Sequence, residues 1–373
     1  MKVRLGDYIQ EYSVRNRKEE DIPVYSVTNT EGFCTGYFDK DVASKDRSTY
    51  KIVPRGCFAY NPSRINVGSI DWQRHMDRVI VSPLYVVFSV SKDILPQYLY
   101  YYLKSDIGLT YIRAAATGSV RDNLKFSMLQ EFPFELRAKG EQRRIVETLD
   151  TIQGIIALYR QQLEALDNLI KAQFVEMFGN CDRYVLAGSI MSNMRNGISP
   201  SSNGQHHARV LTLSAISQGR FDPSMWKNGA FDIEPPSDKR ITVNDFYMCR
   251  GNGNKSLVGT GAYSSEERHD LVFPDTVIAA RIDTARICLP YLFVAWMQPN
   301  VRDQIEAGAR TTNGTYKINQ QIISKIEIPL PPLGQQKRFA AFVAQVDKSK
   351  VVVQAALDET QRLFDSLMQQ YFG

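Results

Sequence analysis

The sequence predicts an α+β fold: two mixed α/β domains in tandem repeat, each followed by a long helix, with the two helices pairing as a coiled coil. Three observations carry this expectation. One stretch of text returns after an interval of 194 residues, two proline-free stretches carry apolar residues at alternating spacings of four and three, and the segments between them mix short β-branched runs with Pro, Gly and Asn breaks. For 373 residues, at about 100–200 residues per domain, two or three units are expected.

The repeat is clearest late in each half. Thr117-Gly118-Ser119, Leu124 to Leu129, Phe132-Pro133-Phe134-Glu135-Leu136 and Gly140-Glu141-Gln142-Arg143-Arg144-Ile145 run through the first copy. Thr311-Thr312-Asn313, Ile318 to Ile323, Ile326-Glu327-Ile328-Pro329-Leu330 and Gly334-Gln335-Gln336-Lys337-Arg338-Phe339 answer them at constant offset. The beginnings match more faintly, Val3-Arg4-Leu5-Gly6-Asp7-Tyr8-Ile9 against Tyr184-Val185-Leu186-Ala187-Gly188-Ser189-Ile190. A self-similar chain is two copies of one module. The division is therefore a first domain over 1–146, a helical segment over 147–180, a second domain over 181–344 and a C-terminal helical segment over 345–373.

Within the first domain, Arg78-Val79-Ile80-Val81 and Leu84 to Val90 read as strands, because β-branched and aromatic residues fit a pleated surface between turn residues. A helix follows from Pro96 to Leu103, with a counterpart from Pro290 to Met297; proline is tolerated in a first helical turn. The first long helix spans about 148–178, with a seam of Ile152, Ile156, Tyr159, Leu163, Leu166, Ile170 and Met177, interrupted by Gln173. The second spans about 345–372, with Val346, Val353, Leu357, Phe364, Leu367 and Tyr371, interrupted by Lys350 and Thr360. Alternating three and four is the narrow stripe of a coiled-coil seam. Neither helix, each about 45 Å long at 1.5 Å per residue, can bury its stripe alone, so the two seams are natural partners.

Composition excludes several classes. The chain has no run of 18 apolar residues and no apolar signal segment after Met1, so a cytoplasmic protein is expected. Five scattered cysteines and His75, His206, His207 and His269 form no close ligand pairs, which argues for free thiols and no metal. Net charge is +5 overall, distributed as +5, −3, +4 and −1 over the four segments; two separated basic blocks suit a polyanion bound at two places.

Catalytic motifs are near misses. Asn61-Pro62-Ser63-Arg64 lacks the second proline and aromatic residue with which an amino-methyltransferase holds its target amine. Gly251 to Ser256 approaches a phosphate loop, but the first required glycine falls on Cys249. Pro274-Asp275 and Asp283-Thr284-Ala285 lack the acid-x-lysine ending of a metal nuclease. No intrinsic active site is expected.

Polar and basic loops recur instead at matched places. The first copy offers Arg64 and Asn66, then Ser119, Arg121 and Lys125; the second offers Arg250, Asn252, Asn254 and Lys255, then Thr312, Asn313, Tyr316 and Lys317. Arg and Asn carry the bidentate groups that read base edges, while Ser, Thr and Lys hold phosphates. The copies differ in letters, as modules reading different targets should.

The whole chain resembles the specificity subunit of type I restriction–modification systems. The resemblance is sharpest at Ile326 to Leu333 leading into Gln335-Gln336-Lys337-Arg338-Phe339, and at Glu141 to Val146; Arg137-Ala138-Lys139 departs from Pro331-Pro332-Leu333 at the turn before. It implies that each domain is a target recognition domain for half of a bipartite, asymmetric DNA site. It also implies that the helices pair antiparallel, with Ile156, Tyr159, Leu163, Leu166 and Ile170 facing Val353, Leu357, Phe364 and Leu367. Two adenine-N6 methyltransferase subunits would dock on the chain, and restriction subunits with them; S-adenosylmethionine, ATP and magnesium would belong to those partners. The chain itself would be no enzyme, and the helix pair would act as a ruler for the unread spacer. The alternative is a stand-alone DNA-binding coiled-coil scaffold or an inactive relic of such a subunit.

Overall fold

The computed structural model describes residues 1–35, 47–116, 123–312 and 314–373, the side chain of Thr312 excepted. The chain folds into two compact units, Met1–Gln161 with Gln354–Gly373, and Gln162–Val353. Each long helix therefore gives one part of its length to each unit.

In unit 1 the strands are β1 (Lys2–Arg4), β2 (Ile9–Glu11), β3 (Ser26–Thr28), β4 (Gly32–Cys34), β5 (Lys51–Pro54), β6 (Phe58–Tyr60), β7 (Ile70–Trp72), β8 (Arg78–Val81) and β9 (Val86–Val90). Helices α1 (Pro96–Lys104), α2 (Asp106–Ala115) and α3 (Phe126–Leu129) follow, then β10 (Pro133–Glu135) and α4 (Lys139–Phe178). Strands β2-β9-β6-β7 form an antiparallel sheet, with β1 paired to β10, β3 to β4 and β5 to β8. Its core is aromatic: Phe58 stacks on Phe88 at 5.1 Å, and Tyr98 meets Phe134 at 5.7 Å and Phe372, from the last helix, at 5.2 Å.

Unit 2 repeats this frame. Its strands are β11 (Tyr184–Leu186), β12 (Met191–Asn196), β13 (His206–Leu211), β14 (Trp226–Phe231), β15 (Arg240–Ile241), β16 (Asp245–Cys249), β17 (Gly251–Asn252), β18 (Gly261–Tyr263), β19 (Arg268–Val272) and β20 (Val277–Ile282), with short α5 (Ser214–Ser217) between β13 and β14. Then come α6 (Leu289–Trp296), α7 (Pro299–Gly308), β21 (Arg310–Thr312), β22 (Thr315–Lys317), α8 (Gln320–Ile323), β23 (Glu327–Pro329) and α9 (Leu333–Phe372). The order β12-β20-β16-β18 answers β2-β9-β6-β7, and β11–β23 answers β1–β10. Unit 2 also holds the mixed sheet β14-β13-β19-β15, whose β13–β14 hairpin is six residues a side; its β15–β19 and β13–β19 pairs answer β5–β8 and the parallel bridge Val24–Ile80 of unit 1.

The α+β tandem repeat with paired long helices is therefore observed, with one difference. Both helices are 40 residues long and begin at Lys139 and Leu333, ahead of the expected 148 and 345, because their first turns pack on the domains rather than on each other. Gln142 and Gln336, both fully buried, show how. Gln142 accepts from the Leu95 N–H at 2.8 Å and donates to the carbonyls of Asp93 and Arg137 at 2.9 and 2.8 Å. Gln336 accepts from the Cys288 N–H at 3.0 Å and donates to Arg286 and Pro331 at 3.1 and 2.8 Å. The repeated Gln-Arg/Lys-Arg motif thus ties each long helix to the N-terminus of α1 or α6, satisfying backbone groups that burial would otherwise orphan.

The seam residues behave as spaced. In unit 2, Ile170, Phe174 and Phe178 pack with Phe339, Val343 and Val346; Phe174 faces Phe339 at 5.6 Å, and Lys350, the seam's polar interruption, binds Asp167 at 2.5 Å. Higher numbers on one helix meet lower numbers on the other, so the pair is antiparallel there. In unit 1, Ile152 and Ile156 are buried, and Phe364, Leu367, Tyr371 and Phe372 pack into the core with Ile145 and Leu149. Among the described residues no helix is long and apolar enough to cross a membrane.

Buried phenols give the fold an alkaline limit. Burial, before any other cause, pushes Tyr98 and Tyr263 up to about 12, and raises Tyr60, Tyr101, Tyr102, Tyr247 and Tyr291 further. An unfolded tyrosine ionises near pH 10, so above that the unfolded chain loses protons that the folded one keeps. Stability is intact below about pH 10 and falls as pH rises toward about 12. Phenolate absorbance followed with circular dichroism should show these tyrosines ionising together with loss of structure, not before it.

Candidate nucleic-acid interface

Each unit builds its candidate site at the exit of a central strand. In unit 1, β6 ends at Tyr60 and the chain turns through Asn61, whose side-chain oxygen accepts from the Ser63 N–H at 3.1 Å. Arg64 precedes a 3-10 turn, Ile65–Val67, that carries Asn66, and Gly68 closes it at φ 88° before β7 begins. The segment after α2 arrives beside this loop: the Leu124 N–H donates to the Pro62 carbonyl at 3.2 Å, and the Tyr60 hydroxyl donates to the Leu124 carbonyl at 3.2 Å. Lys125, exposed, stands at the start of α3. A groove of about 410 Å³ runs here, lined among others by Glu11, Pro62, Asn123, Lys125, Ser127 and Gln130. Its polar lining offers amide, hydroxyl and ammonium groups and the Glu11 carboxylate, beside apolar Val86, Leu124 and Phe126.

Unit 2 has the same arrangement in different letters. From β16 the chain passes Arg250 into β17, whose Gly251 and Asn252 pair with Lys317 and Tyr316 of β22; β21 completes a three-stranded sheet through Thr312 opposite Thr315. The Ile318 N–H donates to the Arg250 carbonyl at 2.9 Å, the counterpart of the Leu124–Pro62 bond. The Asn252 side-chain oxygen accepts from the Asn254 N–H at 2.9 Å, and that of Asn254 accepts from the Ser256 N–H and hydroxyl at 3.1 and 2.9 Å. These bonds cap the turn Lys255–Leu257 and leave Lys255 exposed at its start. Lys317 is exposed, whereas Arg250 is half-buried and gives one guanidinium nitrogen to the Asp275 carbonyl at 3.3 Å.

The structure thus gathers Arg250, Asn252, Asn254, Lys255, Tyr316 and Lys317 on one loop-plus-hairpin element, and Arg64, Asn66 and Lys125 on its counterpart. Ser119, Arg121, Asn313 and the Thr312 side chain lie outside the described residues. Behind the unit 2 site, fully buried Asp245 accepts from Arg195 at 2.6 Å and Arg281 at 2.7 Å. This ties β12, β16 and β20 together at the start of β16, the end of the strand opposite the loop. Among the described residues, no three His, Cys, Asp or Glu side chains converge as metal ligands.

Sequence reasoning missed two features. The β13–β14 hairpin exposes His207, Arg209, Trp226 and Lys227, with the Arg209 guanidinium 4.6 Å above the Trp226 ring and 3.3 Å from Asp270. The polar–apolar alternation from His207 to Val210 could have signalled it. The other is a pair of cations behind the loops. Lys104 donates to the Gly68 carbonyl, and Arg302 donates to the Ser256 and Val258 carbonyls at 3.0 and 2.8 Å. A backbone acceptor leaves no mark in the sequence.

The family model described as "Type I restriction modification DNA specificity domain" matches residues 6–168 and 291–359, more than half of the chain. The type I restriction enzyme EcoKI specificity subunit of Escherichia coli (strain K12) is 22% identical over 312 residues, 77% of this chain and 67% of that protein. The StySPI specificity subunit of Salmonella potsdam is 21% identical over 309 residues, 75% of this chain and 65% of that protein. The chain thus spans about two thirds of the length of these relatives. Two solved structures share the fold over the whole chain. One, solved in work on complex assembly and conformational transition of the type I R-M system, aligns at TM-score 0.59 with 17% identity over 97% of its chain. The other, the S subunit of the type I system from M. genitalium, aligns at 0.54 with 14% identity over 96% of its chain.

Proposed function

We propose, from the premise that this chain belongs to the type I restriction modification DNA specificity family, that its two units each read one half of a bipartite, asymmetric site in double-stranded DNA. The observation that carries this reading is one backbone frame used twice with different side chains. In both units a loop leaving the central strand is hydrogen-bonded to a later segment, Pro62 to Leu124 and Arg250 to Ile318. The frame presents Arg64, Asn66 and Lys125 in one unit, and Asn252, Asn254, Lys255, Tyr316 and Lys317 in the other. Amide and guanidinium groups discriminate bases, and lysines neutralise phosphates.

The chain supplies recognition and its partners supply chemistry. Two adenine-N6 methyltransferase subunits dock on it and flip a target base into their own sites, and restriction subunits join through them. S-adenosylmethionine, ATP and magnesium are assigned to those subunits.

Methylome sequencing of a host carrying this chain and its neighbouring modification subunit tests the reading. A split motif with N6-methyladenine on both strands, lost when this chain is deleted, is expected. An unchanged methylome in an assembled complex would leave a scaffold or a relic as the better description. With the motif known, Lys317→Ala should weaken binding to every sequence and lower the salt slope by about 1, as loss of one phosphate contact does. Asn252→Ala should instead relax preference at one position of the unit 2 half by about 1–3 kcal/mol. Titrations on matched and mismatched duplexes at several salt concentrations separate the two.

A further inference from the structure

We infer that Lys104 and Arg302 are positioning residues for DNA reading: each is a cation brought up from the helical layer to hold the far end of its unit's candidate loop in one backbone shape. The inference rests on the DNA-reading assignment above.

In unit 1, Lys104 is the last residue of α1. Its ammonium donates to the carbonyl of Gly68, which closes the turn carrying Asn66, and to Asn29 through the side-chain oxygen at 3.2 Å and the carbonyl at 3.4 Å. The Tyr100 ring lies 5.8 Å from the ammonium. In unit 2, Arg302 on α7 reaches the carbonyls of Ser256 and Val258, on either side of the end of the turn carrying Lys255, with Glu306 at 3.6 Å. Beside it the Trp296 indole N–H donates to the Gly259 carbonyl at 2.7 Å.

Both loops leave their turns through a glycine at a left-handed φ, where any other residue would be strained. Gly68 has φ +88° and a Cβ there would sit 2.6 Å from the Asn29 side-chain oxygen; Gly259 has φ +69° and its Cβ would sit 2.5 Å from Ile305. The loop exit is fixed by sterics, and the cation fixes the turn just before it. Carbonyls at the end of a helical turn point outward together, and a group with several donors can collect them. Bonds to a charged donor are about twice as strong as neutral ones. Neither cation is placed there cheaply: burial lowers the pKa of Lys104, against the pull of Asp71, and that of Arg302, against the pull of Glu306. The repeat does not explain the pairing, because Lys104 shifted by the repeat interval falls on Gln298. Two copies reached one arrangement with different residues.

The test is half-site-specific relaxation, read by methylome sequencing in the native host with its own modification subunit. Lys104→Met should let the unit 1 half tolerate single mismatches about tenfold more often, within the roughly 5–150-fold that one base pair is worth, while the unit 2 half stays strict. Arg302→Met should do the reverse. Lys104→Arg should restore strict reading. Trp296→Phe, which keeps a ring in the core and removes only the donor to Gly259, should relax the same half as Arg302→Met. A uniform fall in methylation with both halves still strict would show that these residues merely hold the fold, and would overturn the inference. So would a motif unchanged in every variant. A wild-type chain that directs no split motif would overturn the DNA-reading assignment, and the positioning inference with it.

Discussion

Replacing Asp245 with alanine is expected to destabilise unit 2 by about 3–5 kcal/mol, the usual cost of removing one partner from a buried ion pair. The carboxylate is wholly buried and bridges Arg195, itself 8% exposed, and Arg281, 42% exposed. Arg281 can turn to water when its partner is lost, but Arg195 cannot. Its remaining partners are the Asp238 carbonyl at 2.6 Å, the Asn193 carbonyl at 3.2 Å, the Phe273 ring at 5.6 Å and the half-exposed Asp238 carboxylate at 3.9 Å, which compensate the buried cation only weakly. Because β16 runs straight into Arg250 and Asn252, the same change should abolish reading of the unit 2 half. Urea denaturation of the full chain measures the first effect and duplex titration the second. Asp245→Leu combined with Arg195→Met should recover most of the lost stability, since an apolar pair of similar volume often replaces a buried ion pair at little cost. A double variant no better than Asp245→Ala would show that packing, not charge, sets the loss.

Phe339→Ala is the second large effect, at about 3–5 kcal/mol for a fully buried ring. Phe339 lies 5.6 Å from Phe174, 5.5 Å from Phe178 and 6.4 Å from Tyr291. One truncation therefore opens a cavity where α4, α6 and α9 meet in unit 2. Edge-to-face aromatic pairs add about 0.5–1.5 kcal/mol each beyond buried area, so the cost belongs at the upper end. Leu363→Ala on α9, 51% exposed, should change stability by no more than about 0.5 kcal/mol. Equal losses from the two substitutions would contradict the packing described for the seam.

The helices and the repeat are legible in the sequence because burial on a helix is written in spacing. The run Ile152, Ile156, Tyr159, Leu163, Leu166, Ile170 and its partner run through Val353, Leu357, Phe364 and Leu367 are buried or half-buried as their period requires. The early starts at Lys139 and Leu333 are not legible there. Gly140 and Gly334 lower helix propensity in the first turn, and Gln142 and Gln336, polar by type, are buried through three hydrogen bonds each that only the folded domain supplies. Of the candidate loops, the sequence marks the polar clusters at matched places but not that Leu124 closes on Pro62 or Ile318 on Arg250.

By itself, then, the sequence determined that this protein is a duplicated module with two pairing helices and polar loops at equivalent places. Those features are local, carried by side-chain type at short, regular spacing. Only the tertiary structure decided which segments form each site and what holds them. Lys104 reaches Gly68 across 36 residues and Arg302 reaches Ser256 across 46. In both bonds the acceptor is a backbone carbonyl, which every residue possesses and no residue type announces.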